Sequence, residues 1–203
     1  MISLPRLYAV ADQTFGNPVQ LAKELFLGGA RLVQIRDKTA TAQTLLIAVE
    51  ETLAGAPSGA RIIVNDRSDV ARIAGAAGVH LGQQDLPPAL ARKTLAPGQI
   101  VGYSTHNLSQ AMEADTEPVD YIAVGPVFST VTKSNLDPVV GLDRLREICS
   151  KVQKPVVAIG GITIETASDV LACGATSVAV IGDLLKYGNV AARTREWIKH
   201  LES

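Results

Sequence analysis

The chain has 203 residues, of which 47% are hydrophobic, 19% charged and 4% aromatic, and its formal net charge is −1. A chain this apolar and this weakly charged is not intrinsically disordered, and its length allows a substantial core in one domain or at most two. The balanced charge gives no general attraction to nucleic acid or to an anionic membrane. We therefore expect a globular protein with neither nucleic acid nor membrane as a partner.

The two cysteines, Cys149 and Cys173, are too few for a disulfide framework. Residues 1–6 carry neither the basic region nor the apolar run of a secretory signal. The longest charge-free stretch, residues 94–112, is too polar to span a bilayer. We therefore expect the protein to be cytoplasmic.

Three six-residue segments, 29–34, 75–80 and 174–179, align without gaps, and each begins with Gly-Ala. Each is typical of a glycine that ends a helix, followed by a tight turn and an entering strand. Their spacing fits two and then four units of about 24 residues, which is the size of a compact strand–helix unit. A chain of this length holds about eight such units.

Short apolar runs supply the strands of these units. They lie at residues 7–10, 32–35, 62–64, 79–81, 100–102, 121–124, 156–159 and 178–181. The runs are nearly continuous rather than alternating, as in parallel strands that are buried on both faces. Helical patterns lie between most of them, and Ser68 and Thr163 are candidate helix caps. The pattern predicts an α/β fold, a (β/α)₈ TIM barrel in one domain over residues 1–203, with an open doubly wound sheet as the alternative.

Polar residues follow most of the predicted strands, where a parallel barrel gathers its active site. Arg36, Lys38 and Lys133 are cations that could converge on one anion. Asp66 and Asp85 follow neighbouring strands, and two carboxylates together with phosphate oxygens are a typical Mg²⁺ shell. One side of the predicted site is therefore suited to a diphosphate with its metal.

The other side of the predicted site is uncharged. Gly160 and Gly161 follow the seventh strand and Gly182 follows the eighth, where barrels commonly hold a phosphate on backbone N–H groups. Taken singly, each polar residue has an ordinary explanation: Asp66 could cap a helix, and His80 is more typical of a structural histidine than of a base. The coincidence of so many polar strand ends is what predicts a functional site.

These segments resemble the thiamine phosphate synthase family. The matching segments are 33–38, 64–67, 79–87, 102–106, 125–133 and 158–163, in the family's order and spacing. The pattern T-x-T-K at 130–133 together with Q-x-R-x-K at 34–38 is the most specific part. The resemblance covers nearly the whole chain, from about residue 7 to residue 185.

The resemblance implies a transferase that couples hydroxymethylpyrimidine diphosphate with thiazole phosphate, giving thiamine phosphate and pyrophosphate. The pyrimidine diphosphate would ionise first, assisted by Mg²⁺, and the thiazole nitrogen would then attack the exocyclic carbon. By position in the family pattern, the diphosphate contacts fall on Arg36, Lys38, Asn65, Ser104 and Lys133, the metal ligands on Asp66 and Asp85, the pyrimidine contact on Gln34, and the thiazole phosphate contacts on Thr130, Thr132, Gly161, Ile181 and Gly182.

Two residues depart from the family pattern. Ser129 stands where proline is usual, and Gly182 stands where serine is usual. The missing hydroxyl at Gly182 removes one hydrogen bond to the thiazole phosphate but keeps the backbone N–H. We therefore expect weaker substrate binding rather than loss of activity.

Three other functions fit parts of the pattern. A thiazole tautomerase of the same barrel family tends to lack the metal aspartates and the full T-x-T-K loop. Another phosphate-binding barrel does not call for paired metal aspartates, and a non-catalytic ligand sensor does not need groups that stabilise a leaving group. The retained cations and aspartates therefore favour the synthase, and the polar residues 130–138 are the candidate lid.

Overall fold

The computed structural model describes residues 2–130 and 138–202, and within them strands and helices alternate from end to end. The strands are β1 (Leu7–Asp12), β2 (Leu32–Arg36), β3 (Arg61–Asn65), β4 (Gly78–Leu81), β5 (Ile100–Thr105), β6 (Tyr121–Val124), β7 (Val156–Ile159) and β8 (Ser177–Val180). The helices are α1 (Pro18–Leu27), α2 (Ala42–Gly55), α3 (Ser68–Ala74), α4 (Pro88–Thr94), α5 (Leu108–Thr116), α6 (Gly141–Lys151), α7 (Ala167–Ala172), α8 (Gly182–Leu185) and α9 (Val190–Glu202), with a short 3-10 helix at Gln13–Phe15.

The strands form a closed barrel in chain order, and β1 pairs in parallel with both β2 and β8. Every residue of β1, β4, β6 and β8 is buried, because helices cover the outside and side chains fill the inside. The closed ring confirms the predicted (β/α)₈ barrel and excludes the open doubly wound sheet. The three glycines that begin the repeated segments, Gly29, Gly75 and Gly174, all have positive φ, as a turn into a strand requires.

Four strands extend beyond their predicted carboxyl ends, β2 and β3 by one residue, to Arg36 and Asn65, and β1 and β5 by more. β1 continues to Asp12 and β5 to Thr105, where the paired partners are Arg36 and Val124. The sequence pattern followed apolar residues and therefore stopped where polar side chains begin, although the backbone pairing continues. Several polar residues of the site consequently stand on the strands themselves, which hold them more rigidly than loops would.

Both helix-cap predictions were wrong. α3 begins at Ser68 itself, after Arg67, and makes no side-chain cap hydrogen bond. α7 begins after Thr166, whose hydroxyl accepts the backbone N–H of Thr163 at 3.0 Å. Asp66, which has a positive φ of 63°, and the N-cap Arg67 lead the chain into α3.

The interior of the barrel is a small apolar cluster, separate from the larger core between strands and helices. Its buried members are Tyr8, Leu32, Ile63, Ile100, Tyr121, Ala123, Val157 and Ala179. We call this cluster the apolar plug, because it fills the inside of the barrel. A ligand site is therefore expected at the ends of the strands rather than within the barrel. No helix in the described part of the chain is long and apolar enough to cross a membrane.

Candidate functional site

The mouth of the barrel, meaning the carboxyl ends of the strands with the loops that follow, begins with an ion pair between neighbouring strands. Asp12 stands opposite Arg36 in the β1–β2 register and accepts a hydrogen bond from its Nη1. The Asp12 carboxylate is 1% exposed, and its other oxygen accepts the backbone N–H of Thr14 at 2.9 Å and the Thr14 hydroxyl at 2.7 Å. These bonds fix the Arg36 guanidinium at the mouth. Sequence reasoning missed Asp12, whose one signal was its place at the end of a strand.

The two predicted metal aspartates lie on the turns after β3 and β4. Asp66 forms a 3.2 Å ion pair with the Nζ of Lys38. Its positive φ is uncommon for a non-glycine residue, and aspartate is among the residues that tolerate it. The Asp85 carboxylate accepts the backbone N–H of Gly82 at 2.6 Å, which ties the carboxylate to the start of its own turn.

The Asp66 carboxyl is close enough to Asp85 to affect the pKa of Asp85. Burial raises the pKa of Asp85, and a hydrogen bond and charge repulsion from Asp66 raise it further, whereas the Gly82 N–H and Lys38 act in the opposite direction. Two carboxylates that repel each other in this way are stabilised by a divalent cation between them.

Asp66 and Asp85 therefore fit a magnesium ion, but they do not form a complete protein cage. Among residues 2–130 and 138–202, no group of three or more His, Cys, Asp or Glu side chains is placed to hold a metal ion. Mg²⁺ usually keeps several waters and takes one or two carboxylates together with substrate phosphates. Such an ion would need substrate oxygens or water to complete its coordination shell.

The floor of the mouth is polar and buried, although it lies directly above the apolar plug. Gln34, Asn65, His80 and Ser104 point into it from β2, β3, β4 and β5, and each is 9% exposed or less. Four of the buried polar contacts in this region form one continuous hydrogen-bond chain. It joins Gln34 Nε2 to Tyr8 Oη at 2.8 Å, Tyr8 Oη to Tyr121 Oη at 3.0 Å, Tyr121 Oη to His80 Nδ1 at 2.9 Å, and His80 Nε2 to Ser104 Oγ at 2.9 Å.

The opposite side of the mouth, at β6 to β8, is a pocket of glycines, small polar residues and aliphatic side chains, which the end of β5 also lines. Its lining includes Ser104, Thr130, Gly160, Gly161 and Ile181, and Gly182 begins α8 directly after Ile181. Neither lysine nor arginine is among the described residues that line this pocket, and His106 is the one histidine among them.

The double glycine is required by the close approach of two loops. Gly160 and Gly161 both have positive φ, and a Cβ on Gly161 would lie 2.5 Å from the carbonyl oxygen of Ser129. The loop after β6 is joined to this turn by a 2.9 Å hydrogen bond from the Phe128 N–H to the Gly160 carbonyl. At positions 160 and 161 the pocket wall is therefore backbone alone.

The predicted site residues fall into two groups within the mouth. The side at β2 to β5 carries Gln34, Arg36, Lys38, Asn65, Asp66, Asp85 and Ser104. The side at β6 to β8 carries Thr130, Gly161 and Ile181, with Gly182 adjacent. Thr132, Lys133 and most of the predicted lid lie outside the described residues. Sequence reasoning missed Tyr8 and Tyr121, because buried tyrosines in apolar runs have no distinguishing pattern.

The chain is similar to known proteins over nearly its whole length. A sequence model of the family described as thiamine monophosphate synthase matches residues 7–184. The chain is 47% identical over 191 residues to a thiamine-phosphate synthase of Koribacter versatilis, covering 91% of this chain and 90% of that protein. It is 44% identical over 195 residues to the corresponding enzyme of Methanoculleus marisnigri, covering 93% and 92%.

A solved structure gives the same result in three dimensions. The thiamine phosphate pyrophosphorylase from Pyrococcus furiosus superimposes with a TM-score of 0.89 at 35% identity, over 97% of this chain and 95% of that chain. The tautomerase alternative gains no support from these relatives. The chain belongs to the thiamine monophosphate synthase family.

Proposed function

We propose that this protein couples hydroxymethylpyrimidine diphosphate with thiazole phosphate, giving thiamine phosphate and pyrophosphate. The observation that carries the proposal is the two-sided mouth, with cations and paired carboxylates at β2 to β4 and, at β6 to β8, a glycine-backed pocket whose described lining has neither lysine nor arginine. A reaction in which one anion departs while another stays bound uses both sides. The departing diphosphate gains most from cations, and the retained phosphate needs only backbone N–H groups and hydroxyls.

In the first step the bond between the exocyclic methylene carbon and the diphosphate oxygen breaks, and the electron pair leaves with the oxygen. Arg36, Lys38, Asn65 and Ser104, with Lys133 by family resemblance, stabilise the charge that develops on the diphosphate. A magnesium ion held by Asp66 and Asp85 would supply further neutralisation of the diphosphate oxygens. Gln34 orients the pyrimidine above the floor of the mouth.

In the second step the lone pair of the thiazole nitrogen forms a bond to the methylene carbon. Thr130, Thr132, Gly161 and the backbone at Ile181 and Gly182 hold the thiazole phosphate while this bond forms. The reaction needs no strong general base, so its acceleration comes from holding the two substrates in line and from stabilising the leaving group.

The experiment that tests the proposal is incubation of the protein with both substrates and MgCl₂. We expect thiamine phosphate and pyrophosphate in equal amounts, and neither product when one substrate is omitted. Chelation of the metal should stop turnover, and adding MgCl₂ back should restore it. A folded protein that makes no thiamine phosphate under these conditions would refute the proposal.

Two substitutions test the site assignment. We expect Asp66→Ala or Lys133→Ala to lower the rate of pyrophosphate release more than about 100-fold, since one transition-state contact is typically worth that much. The matched controls are Asp69→Ala, which removes an exposed aspartate paired with Arg67, and Lys23→Ala on the surface of α1. Full turnover in Asp66→Ala or Lys133→Ala would contradict the assignment, and circular dichroism checks that each variant keeps its fold.

A further inference from the structure

We propose that the hydrogen-bond chain from Gln34 through Tyr8, Tyr121 and His80 to Ser104 runs in one direction, and so holds the Ser104 hydroxyl as a donor to the anion at the mouth. In this account the two tyrosines and the histidine are positioning residues for a serine that touches the substrate. The nature of the anion, a diphosphate, rests on the proposed function. The direction of the chain does not.

The chain is built into the barrel rather than assembled on its surface. Its members come from β1, β2, β4, β5 and β6, and all of them are buried. The Tyr121 ring stacks on His80 with centroids 5.7 Å apart, and it meets Tyr8 edge-on at 6.0 Å. These ring contacts fix the hydroxyls within hydrogen-bond distance of their partners.

Gly102 makes room for the central member of the chain. It stands opposite His80 in the β4–β5 register, and a Cβ at this position would lie 2.2 Å from Tyr121 Oη and 2.0 Å from Cζ. A larger residue at 102 could not coexist with the Tyr121 phenol in its present place. The sequence therefore provides a specific space for a tyrosine that reaches across the barrel.

The direction of the chain follows from counting hydrogens at Tyr8. The Gln34 amide donates to Tyr8 Oη, so the oxygen acts there as an acceptor. Within residues 2–130 and 138–202, the other partner of Tyr8 Oη is Tyr121 Oη, and a buried hydroxyl hydrogen without an acceptor is costly. The Tyr8 hydrogen therefore goes to Tyr121. Burial raises the pKa of both tyrosines well above the ordinary value, so each phenol keeps its proton.

The remaining bonds are then determined. Because the Tyr121 oxygen accepts from Tyr8, its own hydrogen goes to His80 Nδ1, and the neutral imidazole carries its hydrogen on Nε2. That hydrogen is donated to Ser104 Oγ. The Ser104 hydrogen is left to donate to a ligand oxygen. In a chain of the opposite direction, the serine hydrogen would be used on His80 and would not reach the substrate.

The first test determines the histidine tautomer directly and requires no activity. The protein has three histidines, so ¹⁵N NMR of the ring nitrogens in the substrate-free protein can be assigned with His106→Gln and His200→Gln variants. We expect His80 to be neutral and protonated at Nε2. A hydrogen on Nδ1, or a doubly protonated ring at neutral pH, would overturn the proposal.

The second test is a double-mutant cycle between Tyr121→Phe and Ser104→Ala. We expect Tyr121→Phe to lower kcat/KM for the pyrimidine diphosphate about tenfold, which is the loss of about one hydrogen bond. In the Ser104→Ala background the same change should lower kcat/KM less than about twofold, because its effect acts through the serine. The matched control is Tyr103→Phe, which changes the half-exposed tyrosine on the same strand as Ser104 and should leave kcat/KM unchanged.

Additive losses in this cycle would overturn the proposal, because a structural role for Tyr121 does not depend on the Ser104 hydroxyl. If Tyr121→Phe fails to fold, Tyr8→Phe removes the hydrogen that sets the direction and takes its place in the cycle. A protein that makes no thiamine phosphate would refute the proposed function, and the tautomer of His80 would still decide the direction of the chain.

Discussion

Two arginine–aspartate pairs lie at opposite ends of the barrel and use the arginine in different ways. At the end away from the mouth, Arg92 of α4 donates to the carboxylate of Asp120 and to the carbonyl of Gln99, and its Nε donates to the carbonyl of Pro118 at 2.9 Å. Asp120 also accepts the backbone N–H of Val101 at 2.8 Å. All three guanidinium nitrogens are therefore bonded to the protein, and the pair joins α4 to the starts of two strands.

At the mouth, the part of the chain that the structure describes gives Arg36 one acceptor, Asp12. A guanidinium has five N–H donors, so most of those on Arg36 remain for a ligand. A structural arginine would be expected to be the more buried of the two, but the reverse holds. Arg36 is 14% exposed and Arg92 is 28% exposed. The number of donors already bonded to the protein, rather than the depth of the pair, separates the arginine that we propose to bind substrate from the one that joins α4 to two strands.

The sharpest test of this comparison replaces each arginine by lysine. Lysine keeps the charge but loses the planar fork of donors. We expect Arg36→Lys to lower kcat/KM about 10- to 100-fold with little change in the free energy of unfolding, because the lysine can still pair with Asp12. We expect Arg92→Lys to lower the free energy of unfolding by about 2 kcal/mol with kcat/KM unchanged, since the bonds to the carbonyls of Gln99 and Pro118 are lost.

Steady-state kinetics gives kcat/KM for each variant, and urea unfolding gives the free energy of unfolding of each. If Arg36→Lys loses stability and keeps its activity, the mouth pair is a structural clamp like the other one. If Arg92→Lys loses activity while remaining folded, the two ends of the barrel are coupled, and the comparison fails.

Gly102 lies between the two ends of the barrel. A substitution there tests whether Tyr121 serves the mouth or only the stability of the fold. We expect Gly102→Ala to lower the free energy of unfolding by about 2 kcal/mol, because its Cβ displaces the Tyr121 ring. We also expect about a tenfold fall in kcat/KM, because the bond to His80 is lost. The matched control is Gly55→Ala in α2, where a Cβ meets nothing within 4 Å and alanine should be neutral or slightly stabilising. A Gly102→Ala variant that is less stable but fully active would assign Tyr121 to the structural end.

The fold could be predicted from the sequence because its signals are local. Apolar runs at regular spacing, with glycines such as Gly75 at the helix ends, determine a strand–helix repeat without information from distant residues. The predicted positions of the strand ends were less accurate. Polar residues such as Asp12 continue the backbone pairing although they interrupt the apolar pattern.

The charged residues of the candidate site can be proposed from the sequence, because they follow strands in recognisable segments. The interior chain could not be predicted, since it joins Tyr8 to a tyrosine 113 positions away and depends on the space left by Gly102. A buried tyrosine that packs and one that also carries a hydrogen bond have the same sequence environment. Only the geometry of the closed barrel brings these hydroxyls together.

The smallest expected effect is on the free energy of unfolding when an aspartate is neutralised at each end of the barrel. Burial, followed by the neighbouring Asp66, raises the pKa of Asp85 above its ordinary value of 3.8. From about that pH upward the folded protein therefore binds more protons than the unfolded chain, so the free energy of unfolding falls as the pH rises through this window. Asp85→Asn removes this cost, and we expect it to stabilise the protein at pH 7 by less than about 1 kcal/mol, because solvent screens a half-exposed group.

The gain should disappear near pH 3, where the carboxyl is protonated in both states. At the other end, Asp120→Asn should destabilise the protein at neutral pH, since Arg92 loses its charged partner. Thermal unfolding with and without MgCl₂ and pyrophosphate completes the comparison. The unmodified protein should be stabilised by these ligands through mass action, whereas Asp85→Asn should respond weakly. If Asp85→Asn is less stable at pH 7 and still binds the ligands, this carboxylate stabilises the fold and does not hold the metal. The charged groups at the mouth would then be structural, like the pair of Arg92 and Asp120 at the opposite end.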